Sequence, residues 1–350
     1  MSHASAAASR RIEPLALTWA RRAVTVPCYC ALAFLCFGLA PLWGLVALVV
    51  DASTGQVALF PRTRAIGFFA LYLACEVVGV LVAALLWLTT AGGLLSGQQW
   101  YQEANAALQR GWTAALFKGA LLVFSMRVET EGLELARTGP FLLFVRHSST
   151  ADAVLAAALV ANPQRLLLRY VLKRELLWDP CLDIVGRRLP NAFIDRQAPR
   201  KKAEVEAIAR LAHHLDARSV VLIYPEGTRF SPERRLRALG SLREKGLTAL
   251  VAIAENFRAV LPPQLGGPLA LIDAAPGVDL VLLEHSGFEG ARTFTSFWSG
   301  ELVGRTIRAR VRRIPAASIP AADRDLWLFE TWAETDRWIS VSATPAGAST

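Results

Sequence analysis

The chain has 350 residues, of which 53% are hydrophobic, and its formal net charge is +9. This length allows one large domain or two ordinary ones, and the hydrophobic share is too high for an ordinary soluble enzyme. A basic protein beside a membrane suits anionic lipid head groups or phosphorylated substrates. The sequence has no zinc-finger spacing, RNA-binding signature or lysine-rich tail, so we expect no nucleic-acid partner.

The chain begins with a polar tail over residues 1–22 and continues with two long apolar runs. The first run, residues 28–50, is 23 residues without a charge, which is enough to cross a hydrocarbon core of about 30 Å as a helix. The second run, residues 65–91, is interrupted only by Glu76. We therefore predict an N-terminal two-span transmembrane helical hairpin over residues 23–97.

The distribution of arginines predicts how this hairpin is oriented. Four arginines precede the first run and two lie in the loop before the second, namely Arg10, Arg11, Arg21 and Arg22 against Arg62 and Arg64. Basic residues favour the cytoplasmic side of a membrane. We predict a multi-pass membrane protein whose catalytic domain faces the cytoplasm, at the inner membrane if the protein is bacterial. About residues 51–64 would lie on the far side.

Glu76 is open to more than one interpretation, because a carboxylate inside a membrane span is costly and often functional. The structural interpretation, which we favour, is that Glu76 stays protonated or bonds Tyr72 or a neighbouring helix. A third possibility is that Glu76 makes the second run dip into the bilayer and return. That re-entrant arrangement would keep residues 51–64 on the same side as the rest of the chain.

Residues 98–126 are predicted to be helical, because large apolar side chains recur about every three to four positions, at Trp100, Leu108, Trp112, Leu116 and Phe117. Such a helix either packs on the core or lies at the membrane interface with its tryptophans at the level of the head groups. Both alternatives stay open at this point.

From residue 141 onward, short β-like runs alternate with helical stretches. The predicted strands cover residues 141–146, 166–172, 219–224, 279–284 and 306–313. The predicted helices cover residues 150–161, 174–184 and 200–216. Strands separated by helices favour an α/β layer fold, here over residues 98–339. The tail at residues 340–350, rich in Ala, Ser and Thr, is predicted to be disordered.

A histidine and a carboxylate lie five residues apart where one apolar run ends. His147 follows that run, and Asp152 comes early in the next predicted helix. Asp152 can reach back to one ring nitrogen of His147, which would fix the tautomer and leave the other nitrogen to take a proton. No Ser or Cys nucleophile is needed if a substrate hydroxyl attacks. Alternatively, Asp152 is only a charge in the first helical turn and His147 an ordinary loop histidine.

A second motif follows the apolar run at residues 219–224 and consists of Glu226, Gly227, Thr228 and Arg229. Gly227 permits a sharp turn, and the guanidinium of Arg229 can bind a phosphate or a carboxylate through two parallel N–H groups. The alternative is an ordinary turn at the end of a strand with a solvated arginine. 

A basic stretch lies between the two motifs. Residues 187–202 hold six basic side chains and one acidic side chain. A basic helix face can explain those near its end without any function. Arg196, which directly follows Phe193, Ile194 and Asp195, is the better candidate for binding a phosphate.

In the order of these blocks, the chain resembles the glycerolipid acyltransferase family, typified by 1-acylglycerol-3-phosphate acyltransferases. The His-x4-Asp block matches at His147 and Asp152, although Arg146 stands where the family often has asparagine. The block that ends in arginine matches loosely at residues 193–196, and the Tyr-Pro-Glu-Gly-Thr-Arg block matches fully at residues 224–229. A hydrophobic segment with proline is matched weakly at residues 260–263. The resemblance covers about residues 120–315.

The resemblance implies an acyltransferase-like mixed sheet flanked by helices and a membrane-bound enzyme. Its expected reaction moves a fatty acyl chain from acyl-CoA or acyl-carrier protein, as co-substrate, to the hydroxyl of a lysophospholipid. The most specific expectation is 1-acylglycerol-3-phosphate, giving phosphatidic acid, with no metal and no cofactor. The implied catalytic residues are His147 and Asp152. The implied substrate-binding residues are Arg196, Glu226, Gly227, Thr228 and Arg229.

Three other functions remain compatible with the sequence. The acceptor could be another lysolipid, and the same base could activate water so that the protein hydrolyses a thioester. A non-catalytic lipid-binding protein of the same fold is the third, because a fold alone does not establish chemistry. The presence of both His147 and Asp152 argues against this last alternative.

Overall fold

The structure is a computed structural model that describes residues 13–56, 59–149, 151–195 and 201–342. Most of the predicted N-terminal tail, the last eight residues of the predicted C-terminal tail and the predicted substrate-binding residue Arg196 lie outside the described residues.

Four helices form the N-terminal part: α1 (Leu15–Gly38), α2 (Ala40–Ser53), α3 (Pro61–Thr90) and α4 (Gln98–Val123). The predicted first span at residues 28–50 is wrong in its bounds, because it crosses a break at Leu39. Pro41, in the first turn of α2, cannot continue the preceding helix, since proline lacks the N–H that the helix needs. Helix α1 and residues Pro61–Gly93 are each long and apolar enough to cross a membrane.

Helix α3 packs closely against the remainder of the chain. A β-carbon at Gly119 of α4 would collide with the side chain of Leu71 in α3. The Leu71 side chain therefore packs directly against the backbone of α4. Glu76 accepts hydrogen bonds at 3.1 Å from the indole N–H of Trp112 and at 3.1 Å from the backbone N–H of Cys181. These contacts agree with the structural interpretation of Glu76, and they place Trp112 in the packing of α4 on α3.

Ion pairs hold α1 against the same part of the chain. Arg21 and Arg22 approach opposite oxygens of the fully buried Asp183, at 2.8 Å and 2.6 Å. Arg187 pairs with Glu13, just before α1, at 2.7 Å. Arg21 and Arg22, which were counted in the prediction of orientation, therefore form ion pairs within the protein.

The segment between α2 and α3 also contacts the rest of the chain. Arg64 donates a hydrogen bond to the hydroxyl of Ser125 at 2.9 Å, and the ring of Phe68 lies 5.5 Å from that of Phe124 and 6.2 Å from that of Phe297. A bilayer cannot separate groups that touch. This arrangement differs from the predicted placement of residues 51–64 on the far side and agrees with the re-entrant alternative.

The remainder of the described chain is a mixed sheet with helices on both faces. Its strands are β1 (Arg127–Glu131), β2 (Phe141–Val145), β3 (Leu167–Lys173), β4 (Ala192–Ile194), β5 (Ser219–Ile223), β6 (Asp279–Ser286) and β7 (Thr306–Ile314). Their order across the sheet is β1-β7-β6-β2-β5-β3-β4, and all neighbours are parallel except β6 and β7. The predicted α/β fold is confirmed, and β1 and β4 are the described strands that the prediction lacked.

The helices of this part are α5 (Asp152–Ala156), α6 (Pro180–Ile184), α7 (Lys201–Arg210), α8 (Pro232–Glu244), α9 (Thr248–Ala254), α10 (Gly266–Ala274), α11 (Phe294–Trp298) and α12 (Arg324–Ser342). Helix α5 continues through a π-helical turn at Ala157–Ala161. Helix α12 includes residues 340–342, so that end of the predicted disordered tail is helical.

Strand β2 lies at the centre of the sheet and is buried on both faces. Leu142 and Phe144 belong to a core shared with α7 to α10 and α12, whereas Phe141, Leu143 and Val145 belong to a core shared with α5. None of the five side chains is exposed to solvent. The sequence of a strand that is covered on both faces is a continuous apolar run. This explains why the bounds of β2 could be predicted to within one residue.

Candidate active site

The two sequence motifs meet because their strands are neighbours. His147 follows the carboxyl end of β2, and Glu226 follows the carboxyl end of β5, which pairs with β2 in parallel. Strand β6 lies parallel to β2 on its other side and carries His285 near its carboxyl end. In open α/β sheets this edge is where ligands bind, so the structure brings the candidate residues to the expected place.

Asp152 holds the ring of His147. One carboxylate oxygen, Oδ2, lies 3.0 Å from Nδ1 of His147 and also accepts from the backbone N–H groups of Ser148 at 2.6 Å and Ser149 at 2.8 Å. The hydroxyls of the same two serines donate to Oδ1. Burial alone would raise the pKa of Asp152, but nearby His285 and the bond from His147 outweigh it, so the pKa is lowered. An ionised Asp152 accepts from the Nδ1–H tautomer of His147, which leaves Nε2 unprotonated.

The side chain of His147 is 15% exposed, so a substrate proton can reach Nε2. Its ring stacks on the ring of Tyr224, with centroids 4.4 Å apart and planes 29° apart. Its backbone is held from two sides, because its N–H donates to Glu226 at 2.7 Å and its carbonyl accepts from Phe230 at 3.1 Å. The ring is therefore fixed in place while one nitrogen remains accessible, as a general base requires.

Glu226 is placed differently from the prediction that it contacts substrate. It is 1% exposed, and its second oxygen accepts from the backbone N–H of Leu261 at 2.8 Å. Both oxygens are thus used inside the protein, where they join the end of β5 to His147 and to the segment around Leu261. The observed contacts are those of a residue that positions His147.

Gly227, Thr228 and Arg229 form the turn after β5. Gly227 has a φ of 72°, and its N–H donates to the carbonyl of Tyr224 at 2.9 Å, so the motif turns sharply as predicted. The guanidinium of Arg229 donates to the backbone carbonyl of Arg292 at 3.3 Å. Within the described residues no carboxylate lies within 4.0 Å of it, which leaves it able to bind an anion.

Two buried residues beside the motifs were not predicted. Arg146 is 1% exposed and donates to the carbonyls of His285 at 2.6 Å and Ala259 at 3.0 Å, and to the carboxylate of Glu289 at 2.6 Å. His285 lies 3.6 Å from Oδ1 of Asp152 and donates from Nε2 to the carbonyl of Arg146 at 3.0 Å. Burial lowers the pKa of His285, against the opposing effect of the Asp152 charge.

The C-terminal helix supports the site through a loop. Asp336 of α12 accepts hydrogen bonds from the backbone N–H groups of Arg258, Ala259 and Val260 at 2.6 to 3.1 Å. The same loop supplies the N–H of Leu261 to Glu226. Nothing in the spacing of these residues along the chain signals the contact, because it joins segments far apart in sequence.

The burial of Glu226 predicts a dependence of stability on pH. Burial raises the pKa of Glu226 from 4.5 to about 8. Between these values the folded chain keeps a proton that the unfolded chain releases, so a rise in pH through this window should lower the free energy of unfolding. Glu226→Gln, which cannot ionise, should lack this part of the decline. Thermal unfolding of both proteins in detergent between pH 5 and pH 9 measures the effect.

The control for this experiment is Glu244→Gln, which removes a carboxylate that is exposed. That variant should follow the pH dependence of the unmodified protein. If the melting temperatures of the unmodified protein and of Glu226→Gln changed in parallel between pH 5 and pH 9, Glu226 would be ionised in the folded protein throughout that range.

Comparison with known proteins identifies the kind of domain that carries this site. The Acyltransferase family model matches residues 127–262. The crystal structure of the 1-acyl-sn-glycerophosphate (LPA) acyltransferase PlsC from Thermotoga maritima is similar with a TM-score of 0.52 and 15% sequence identity, covering 82% of this chain and 100% of that chain. At this identity the likeness shows the fold. The predicted resemblance and the predicted mixed sheet flanked by helices are confirmed.

Proposed function

Residues 127–262 form a domain of the Acyltransferase family, and from this premise we propose that the protein transfers a fatty acyl chain from a thioester to the hydroxyl of a lysophospholipid. The proposed acceptor is 1-acylglycerol-3-phosphate and the proposed donor is acyl-CoA or acyl-carrier protein. The observation that carries the proposal is the pair of His147 and Asp152 at 3.0 Å. It is supported by the guanidinium of Arg229, which has no carboxylate partner among the described residues.

The chemistry needs one base and two bound substrates. Nε2 of His147 takes the proton of the acceptor hydroxyl as its oxygen attacks the thioester carbonyl. The ester C–O bond forms, the C–S bond breaks, and the proton passes from the imidazolium to the departing thiolate. Asp152 stabilises the positive charge on the ring during this cycle. The reaction uses the acyl donor as co-substrate and requires no metal or cofactor.

Purified protein with labelled acyl-CoA and a panel of lysophospholipids tests the proposal. A diacyl product that depends on the acceptor, with the highest kcat/KM for 1-acylglycerol-3-phosphate, is the expected result. Free fatty acid formed without regard to the acceptor would identify a thioester hydrolase. No turnover with any donor and acceptor would favour a lipid-binding protein of this fold.

We also propose that the N-terminal helices embed this enzyme in a membrane from one side. Large apolar side chains point outward along them, among them Phe34 at 77%, Leu88 at 67% and Leu81 at 63% exposure, and a soluble protein seldom leaves such a surface in water. The contact of Arg64 with Ser125 keeps the segment between α2 and α3 beside the sheet domain. The cytoplasmic side supplies the thioester donors in the family that this chain resembles.

A labelling experiment tests this placement. In a background without native cysteines, a cysteine introduced at Ser53 should react with an impermeant maleimide only after the cells are permeabilised. A cysteine at Thr295, which is exposed in the sheet domain, is the matched control and should behave identically. Labelling of the Ser53 position alone in intact cells would establish the two-span crossing, and labelling of both positions would place the sheet domain outside.

A further inference from the structure

A second arginine lies beside Arg229 without belonging to any of the sequence motifs. Arg292 follows the short helix Glu289–Ala291, and its backbone carbonyl accepts from the Arg229 guanidinium at 3.3 Å. Its own guanidinium carbon lies 5.2 Å from the centre of the Phe230 ring. Phe230 in turn donates its backbone N–H to the carbonyl of His147 at 3.1 Å. Both guanidinium groups are thus held next to the segment that carries the proposed base.

Neither arginine is neutralised within the described residues. Among the residues that the structure describes, no carboxylate lies within 4.0 Å of Arg229 or Arg292, and Nε of Arg292 is buried without a hydrogen-bond partner. Glu289, the acidic residue nearest to Arg292 in sequence, is already used by Arg146 at 2.6 Å and by the backbone N–H of Gly287 at 2.6 Å. The same protein pairs other partly buried arginines, since Arg310 lies 2.5 Å from a carboxylate oxygen of the buried Glu284.

A guanidinium with a buried, unpartnered donor is costly unless an acceptor binds it. Burial lowers the pKa of Arg292, and the charge of Arg146 adds to this effect against the opposing pull of Glu289. A phosphate monoester carries between one and two negative charges near pH 7 and presents several acceptor oxygens, which suits two guanidinium groups.

We propose that Arg292 is a second phosphate-binding residue, which together with Arg229 binds a phosphate group of the substrate. The proposal rests on the proposed acyl transfer and adds a residue to its binding site. Two substrate groups offer this chemistry, namely the head group of the lysophospholipid acceptor and the phosphates of acyl-CoA. Because the short segment with Arg292 lies beyond residues 127–262, the family model does not include it.

The test compares Arg292→Gln with the unmodified full-length protein in detergent. The KM for 1-acylglycerol-3-phosphate should rise about 10-fold while kcat changes little, because a lost charge-assisted hydrogen bond weakens binding before the chemistry. The KM for acyl-CoA is measured in parallel. A rise for the acceptor assigns Arg292 to the head group, and a rise for acyl-CoA assigns it to a donor phosphate. No rise in either KM would overturn the proposal.

Arg137→Gln is the matched control, because it removes the same charge from an exposed side chain that precedes β2, at the opposite edge of the sheet. Its two KM values should equal those of the unmodified protein. Arg292→Lys keeps the charge and should recover part of the lost affinity, and its kinetics remain informative if Arg292→Gln folds poorly.

A binding measurement separates this proposal from the proposed function. Isothermal titration calorimetry with glycerol 3-phosphate requires no turnover, and Arg292→Gln should weaken that binding about 10-fold. Weaker binding in a protein without acyltransferase activity would support the role of Arg292 and overturn the proposed reaction. Unchanged binding and unchanged KM values in an active enzyme would overturn the role of Arg292 alone.

Discussion

His147→Ala should lower kcat by at least about 100-fold, because the variant lacks the general base that takes the hydroxyl proton. The fold should remain intact, since Glu226 and Phe230 bond the backbone of His147 and not its ring. Steady-state kinetics at saturating donor and acceptor measure kcat, and thermal unfolding verifies the fold.

The matched control for this variant is His213→Ala, which removes an exposed imidazole after α7 and should keep full activity. Equal kcat values for the unmodified protein and His147→Ala would show that His147 is not the base. In that case the arrangement of His147 and Asp152 would be structural.

Asp152→Asn should lower kcat by about 10,000-fold, the scale known for loss of the carboxylate that orients a catalytic histidine. The side-chain amide of asparagine has only one oxygen that can accept hydrogen bonds. Asp152, in contrast, accepts from the ring of His147 and from the backbone N–H groups of Ser148 and Ser149. The NH2 group of the asparagine would face hydrogen-bond donors where Asp152 has an accepting oxygen. The ring of His147 would therefore lose the contact that fixes its tautomer. We also expect a lower melting temperature, because a buried donor is left without an acceptor.

Asp273→Asn serves as the control, since it removes a carboxylate whose side chain is 63% exposed. It should leave kcat unchanged. If Asp152→Asn lowered the melting temperature but kept kcat and its pH profile, Asp152 would stabilise the helix start and have no part in catalysis.

The sequence by itself determined the central strands and the contact between His147 and Asp152. Strands β2 and β5 are short apolar runs, because the sheet buries both of their faces, and this pattern is local. The 3.0 Å contact of His147 with Asp152 was also predictable, because it depends on a strand end and the first turn of the next helix. The catalytic roles of these residues stay predictions until the variants are measured.

Strands β1 and β4 could not be found from local pattern. The side chains of β1, Arg127–Glu131, are mostly exposed and include three charged residues, and β4 is only three residues long. Both exist because their backbones pair with a neighbouring strand. Pairing depends on the order of strands in the sheet, which no run of residues reveals.

The tertiary structure alone decided which distant residues complete the site. Glu226 was expected to meet substrate, yet it accepts from the backbone of His147 and Leu261, and Arg292 comes to lie beside Arg229. In the same way, the contact of Arg64 with Ser125 determines where the N-terminal helices lie. Spacing along the chain encodes contacts within one turn or helix, because the backbone geometry there is known in advance. Contacts between remote segments depend on how strands and helices pack, and this packing is set by the whole core.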